Sequence, residues 1–124
     1  TPAYLMTSAA VPKSQRISGI VIDAREHAVD PSMSPEVIDM QGNLVYGTIS
    51  YSRSKAVNRG PVGYAYSMDD RNVSQRVGSN PLFVEAVGSL DDDVYITSMD
   101  AAKVREAEKS FGVLSNCRVM LLLQ

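Results

Sequence analysis

Short apolar runs separated by turn-forming residues fill positions 18–47, and this pattern constrains the fold more than any other feature of the sequence. In the first run, 17–25, Ile20 and Ile22 fall on one face of a strand and Val21 falls on the other. Apolar residues on both faces are typical of a central strand that is covered on both sides. The run therefore predicts a buried strand.

A loop and a hairpin are predicted after this strand. Pro31 and Pro35 bracket a stiff loop at 30–35, because each proline fixes its own φ and restricts the residue before it. Residues 36–40 and 44–51 are predicted to pair around Gln41-Gly42-Asn43, since glycine and asparagine tolerate the positive φ of tight turns. The whole segment is poor in reactive groups, which favours a domain that acts through its shape or surface.

Two helices are predicted in the second half. Asp69 or Asp70 is placed to cap a short helix that runs to Val77 and stops at Gly78. Residues at about 99–114 form the main amphipathic helix, opened by Ser98 or Asp100, with one apolar stripe: Val104, Ala107, Phe111 and Leu114. Three further apolar runs are predicted to be strands: 81–88, 94–97 and 117–123.

The order of these elements predicts an α+β fold, with a mostly antiparallel or mixed β-sheet, one main helix and a short second helix. Residues 17–124 are expected to form a single domain, because 44% of the 124 residues are hydrophobic and suffice for one core. Residues 1–16 contain no acidic residue and follow neither a helical nor a strand period. They are predicted to be an extended N-terminal arm.

The charge distribution argues against nucleic acid as a partner. The chain has 12 Lys and Arg, 14 Asp and Glu, and a net charge of -2, and its basic residues are dispersed.

The longest apolar run, 119–123, is far shorter than the ~18 residues that cross a bilayer.

Residues suited to catalysis or metal binding are scarce. His27 is the only histidine, so one chain cannot supply a two-histidine metal site, and we interpret it as an exposed loop residue with solvated neighbours. Cys117 is the only cysteine and adjoins an apolar run, so it is predicted to be buried and unreactive. The acidic run 91–93 is interpreted as a solvated turn. We predict no catalytic residue, no cofactor and no metal, and hence no enzyme.

Tyrosines and the arm supply the candidate self-assembly residues. The tyrosines lie on predicted strands or the adjacent loop, where aromatic rings serve either an interface or core and edge packing. Both roles are left open by the sequence. The candidates are Tyr4, Leu5, Met6, Tyr46, Tyr51, Tyr64 and Tyr66.

Several short motifs resemble one family over positions 17–123. They are Gly19-Ile-Val-Ile-Asp-Ala-Arg25, Ser34-Pro35-Glu-Val-Ile-Asp39, Gly42-Asn-Leu-Val-Tyr-Gly47, Arg76-Val-Gly78, Asn80-Pro81-Leu82, Glu85-Ala86, Ser98 to Ala102 and Asn116-Cys-Arg-Val119. Together they resemble the FlgP-type family of small flagellar proteins of the bacterial envelope.

The resemblance implies a non-enzymatic periplasmic protein that assembles into a homo-oligomeric ring or disc around the flagellar motor. Its expected partners are copies of itself and other flagellar motor or envelope proteins. Family members often attach to the outer membrane through a lipid-bearing first cysteine. This sequence starts at Thr1 and has no cysteine before Cys117. We therefore expect either a removed anchor or an ordinary signal peptide.

Two other functions compete with ring assembly. A periplasmic binding module would recognise a peptide, glycan or small ligand through the loop at 30–35 and the segment 59–66. A small enzyme would need a convergent site around His27. The arm, residues 1–16, fits ring assembly best, as a strand added to the sheet edge of a neighbouring subunit.

Overall fold

The computed structural model describes residues 16–47, 50–51, 57 and 60–124, and the predicted assembly residues Tyr4, Leu5 and Met6 lie outside this part. The described residues contain eight strands and two helices, which confirms the α+β class. The strands are β1 (Gly19–Asp23), β2 (Val37–Asp39), β3 (Leu44–Tyr46), β4 (Gly63–Ala65), β5 (Pro81–Glu85), β6 (Gly88–Leu90), β7 (Asp93–Ile96) and β8 (Val119–Leu122). The helices are α1 (Arg71–Val77) and α2 (Ser98–Phe111).

The strands form two sheets of four. The first has the order β4-β8-β1-β5 and is parallel throughout. The second has the order β3-β2-β7-β6, with a parallel β2–β7 pair between two antiparallel pairs. Parallel pairing is more extensive than the hairpin signals indicate, because most paired strands are distant in sequence and are joined by crossovers.

Strand β1 is the centre of the molecule, as its apolar pattern predicts. Ile20, Val21 and Ile22 are each at most 2% exposed. Ile20 and Ile22 face the main core, which is shared with the second sheet and α2. Val21 faces the opposite way, into a smaller cluster beneath Val73 and Val77 of α1. Helix α1 therefore covers one face of the first sheet, and the main core lies on the other.

Both helices have side-chain caps at their starts and glycines at their ends. The Asp70 carboxylate accepts a hydrogen bond from the Asn72 amide at 2.9 Å, and Gly78 ends α1 with φ +78°, as predicted. Thr97, rather than Ser98 or Asp100, caps α2. Helix α2 ends at Phe111, short of the predicted 114, because Gly112 takes the left-handed conformation at φ +66°.

The hairpin predicted around Gln41-Gly42-Asn43 is confirmed, although its strands are shorter than predicted. Its anchor is Asp39, which is 2% exposed. The carboxylate accepts hydrogen bonds from the amides of Gln41 and Asn43, each at 2.9 Å, and from the Arg105 guanidinium at 3.2 Å. The amide of Asn43, foremost among these donors, lowers the pKa of Asp39.

Candidate functional site

Strand β5 forms an open edge of the parallel sheet. It has five residues, whereas the strands at the other three sheet edges have three each. The Ala86 amide donates to the Asp23 carbonyl of β1 at 2.9 Å. Since peptide groups alternate in direction along a strand, those of Phe83 and Glu85 point away from β1. Among the described residues, no strand pairs with this outer side.

An apolar side chain is exposed on this edge strand. Phe83 is 46% exposed, although its register partner Val21 is fully buried beneath α1. Val87, just beyond the strand, is equally exposed. An edge that offers both peptide groups and an apolar side chain is a template for another strand. Phe83 is not among the residues predicted to mediate assembly, although a period of two places it opposite Leu82 and Val84.

The chain enters the described part beside the amino end of β5. The Arg16 carbonyl accepts a hydrogen bond from the Asn80 side-chain amide at 2.8 Å. The Ser18 amide donates to the Asn80 carbonyl at 3.0 Å, and the Ser18 hydroxyl accepts from the Asn80 amide at 2.8 Å. Asn80 immediately precedes Pro81, the first residue of β5. Arg16, the last residue of the predicted arm, therefore lies next to the amino end of β5.

The four predicted tyrosines in the described part do not share one surface. Tyr46 is a core residue at 1% exposure; its hydroxyl donates to the Pro61 carbonyl, and burial raises its pKa. The Tyr51 ring packs on it at a centroid distance of 5.5 Å. Tyr64 is partly buried, and Tyr66 is 71% exposed. Core packing, one of the two roles left open by the sequence, is thus the role of Tyr46.

The predicted binding loop, 30–35, lies against the segment 60–66; Arg59 lies outside the described part. The Tyr64 hydroxyl accepts a hydrogen bond from the Ser32 amide at 3.0 Å and donates to the Ser32 carbonyl at 2.7 Å. On the other side, the Ser32 hydroxyl donates to the Asp92 carboxylate at 2.7 Å. The Asp30 amide donates to the Asp91 carbonyl at 2.8 Å. The acidic turn is therefore a support for the loop as well as a surface feature.

A cleft of about 290 Å³ lies beside this loop. It is formed where β1, β4 and β8 end, by the residues that follow each strand. Its lining consists of His27, Ala28, Val29, Asp30, Pro31, Tyr66, Leu123 and Gln124. Ligand sites of open parallel sheets lie outside the carboxyl ends of the strands, where this cleft is found.

A larger cleft, of about 390 Å³, lies between α1 and β4. The side chain of Arg76 lies along it and donates to the carbonyls of Gly60 at 3.1 Å and Cys117 at 2.9 Å. Arg76 thereby ties α1 to the segments before β4 and β8, which is a structural role.

Asp23 and His27 have different partners. Asp23 pairs with Arg25 at 2.9 Å, and the hydrogen bond from that guanidinium lowers the pKa of Asp23. His27 Nε2 lies 3.1 Å from the Ala86 carbonyl oxygen instead. Cys117 is fully buried, as predicted. Within the described ranges, no cluster of three or more His, Cys, Asp or Glu residues could hold a metal ion.

The described helices are all too short or too polar to cross a membrane. No curated protein matches the sequence. The protein-family model that describes the second domain of Treponema pallidum Tp0624 matches residues 19–124, which include every strand and both helices named above. This chain therefore belongs to the Tp0624 second-domain family.

Proposed function

We propose that this protein is a non-enzymatic structural subunit that assembles with copies of itself into a ring or disc in the bacterial envelope. The observation that carries the proposal is the open edge of β5, with its outward peptide groups and the exposed side chain of Phe83. Strand addition at such an edge gains affinity from main-chain hydrogen bonds and specificity from the side chains between them.

The arm of a neighbouring subunit is the strand that this edge receives. Fifteen residues in extended form span about 50 Å, more than enough to reach an adjacent subunit. A contact between arm and β5 uses two different surfaces of the same chain, and contacts of this kind form a ring when the rotation between successive subunits closes. In this arrangement Tyr4, Leu5 and Met6 supply apolar side chains that pack beside Phe83.

The resemblance of the sequence to the FlgP-type family supports a place around the flagellar motor. In this role the protein is a periplasmic accessory that scaffolds or braces the motor, beside other flagellar or envelope proteins.

The substitution Phe83→Pro tests the proposal. Proline removes the outward amide of residue 83 but none of the hydrogen bonds to β1, and edge strands tolerate proline at such positions. We expect Phe83→Pro to lower the native mass, while Phe83→Val, which keeps the amide, preserves the assembly. A second variant, Phe83→Lys, blocks the edge by charge if the proline variant does not fold. If both the proline and the lysine variants still assemble, the β5 edge is not the assembly contact.

A binding module is the second candidate, because one specific observation favours it. The two segments expected to form its contact surface are joined by the hydrogen bonds between Tyr64 and Ser32. A loop held in this way does not need to be ordered by its ligand, which reduces the cost of binding. A purified monomer that binds a small ligand would support this function over assembly.

A further inference from the structure

We infer that the cleft at the carboxyl ends of β1, β4 and β8 binds a neutral carbohydrate, whose sugar ring stacks on the exposed face of Tyr66. This inference rests on the second of the functions proposed above, the binding module. It does not depend on assembly through β5.

The cleft is preformed. Its loop is fixed at three positions: the Ala28 carbonyl accepts from the Ser89 hydroxyl at 2.7 Å, the Asp30 amide donates to Asp91, and Ser32 is held by Tyr64. Because the loop is fixed at alternate residues, it loses little conformational entropy when a ligand binds. A volume of about 290 Å³ is at the small end of the range of ligand pockets, which indicates a small ligand.

The charge of the lining disfavours an anionic ligand. Among the described residues, no lysine or arginine lines the cleft, whereas the acidic residue Asp30 does. Phosphates and other anions are bound by arginine forks and lysine charges, so this lining disfavours them. A ligand without negative charge fits the cleft.

The lining combines an exposed aromatic ring with polar residues. Tyr66 is 71% exposed at the edge of the cleft. A sugar ring presents C–H groups to an aromatic face and hydroxyl groups around its rim. Asp30 and Gln124 supply hydrogen-bond acceptors and donors for those hydroxyl groups.

His27 adds a further polar side chain to the lining. A carbonyl oxygen only accepts hydrogen bonds, so the Nε2 atom that faces Ala86 carries the proton. In the neutral ring Nδ1 is then the acceptor, suited to a sugar hydroxyl.

The test is a titration of the intact protein with glucose, N-acetylglucosamine, maltose and N,N′-diacetylchitobiose, followed by the NMR signals of the Tyr66 and His27 rings. We expect saturable shifts with at least one of these sugars. Tyr66→Ala should weaken that binding about tenfold, because the stacking surface is lost. Tyr66→Phe keeps the ring and should bind nearly as well as the wild type, as should the control Met68→Ala, which alters a neighbouring residue outside the lining.

Absence of saturable shifts with all four sugars would overturn the inference, and so would binding that Tyr66→Ala leaves unchanged. The same titration on Phe83→Pro separates the two proposals. Sugar binding retained by a Phe83→Pro protein that has lost its assembly supports both proposals. Loss of assembly by Phe83→Pro, when the wild type binds none of the sugars, supports β5 alone, and sugar binding by a wild type that does not assemble supports the cleft alone.

Discussion

The hydroxyl group of Tyr64 hydrogen-bonds both backbone groups of Ser32, accepting from the amide at 3.0 Å and donating to the carbonyl at 2.7 Å. The Tyr64 side chain, on β4, thus gives Ser32 the pair of backbone hydrogen bonds that a neighbouring strand would otherwise supply. The two residues are 32 positions apart. Because burial of an unpaired backbone group is costly, this arrangement accounts for the fixed path of the loop across the end of the sheet.

Tyr64→Phe should therefore release the loop without disturbing the core. The loss of two hydrogen bonds at a partly buried site should lower the free energy of unfolding by about 1–3 kcal/mol. Hydrogen exchange at the Ser32 amide should become faster than in the wild type. Tyr66→Phe removes an exposed hydroxyl and serves as the control. Unchanged exchange at Ser32 in Tyr64→Phe would show that this contact does not hold the loop.

Gly19→Ala should destabilise the protein, because β1 and α1 approach each other too closely for a side chain. A Cβ atom at residue 19 would lie 2.5 Å from the Cβ and 2.6 Å from the Cα of Val77. Overpacking of this kind costs about 1–3 kcal/mol, measurable by denaturant titration. Gly88→Ala is the matched control, since the nearest atom to its added Cβ lies at 4.0 Å. Equal stability of the two variants would contradict the close approach.

Asp39 should contribute to stability in a pH-dependent manner. Its pKa is lower in the folded chain than the ordinary value of 3.8, chiefly because of the hydrogen bond from the Asn43 amide. The stabilisation is therefore complete above the unfolded pKa and is lost as the pH falls through the folded pKa. Asp39→Asn should be less stable than the wild type at pH 7, and the difference should shrink in acid.

Thermal unfolding of Asp39→Asn and the wild type between pH 2 and pH 7 measures this effect. Asp69→Asn changes an exposed carboxylate and is the control. A stability difference that stays constant down to the lowest pH would contradict the assignment of the acid-sensitive group to Asp39.

Local signals in the sequence predict much of this fold. The apolar run of β1, the glycine turn after Asp39, and the cap and stop of α1 at Asp70 and Gly78 each depend on neighbouring residues, and each is confirmed. The strands β4 and β6 were not predicted, since each has three residues of which one is a glycine, and this leaves too few apolar positions to show a period of two. The predicted strand at 81–88 is instead β5 followed by the start of β6.

The candidate surfaces depend on long-range pairing, which single-sequence patterns do not encode. Phe83 is exposed only because β5 ends the order of the first sheet, and Tyr64 meets Ser32 only because β4 pairs with β8. The ion pair between Asp39 and Arg105 joins residues 66 positions apart. The sequence indicates the polar or aromatic character of these residues, but not which of them meet.

Removal of residues 1–15 should abolish assembly and leave the fold intact. This truncation retains Arg16, whose carbonyl holds the Asn80 side chain. The truncated protein should unfold at nearly the same temperature as the full chain but have a lower native mass. Full-length protein added to it in excess should recruit it into mixed assemblies, because its β5 edge is unchanged. If the truncated protein still assembles fully, the arm is not the segment that binds the β5 edge.

Self-assembly is tested by the native mass of the full chain, measured by light scattering and accompanied by negative-stain imaging. We expect a mass many times that of the 13.4 kDa chain, together with closed rings or discs. A monomer of 13.4 kDa at all protein concentrations would contradict self-assembly of this chain and leave the binding module as the better-supported function.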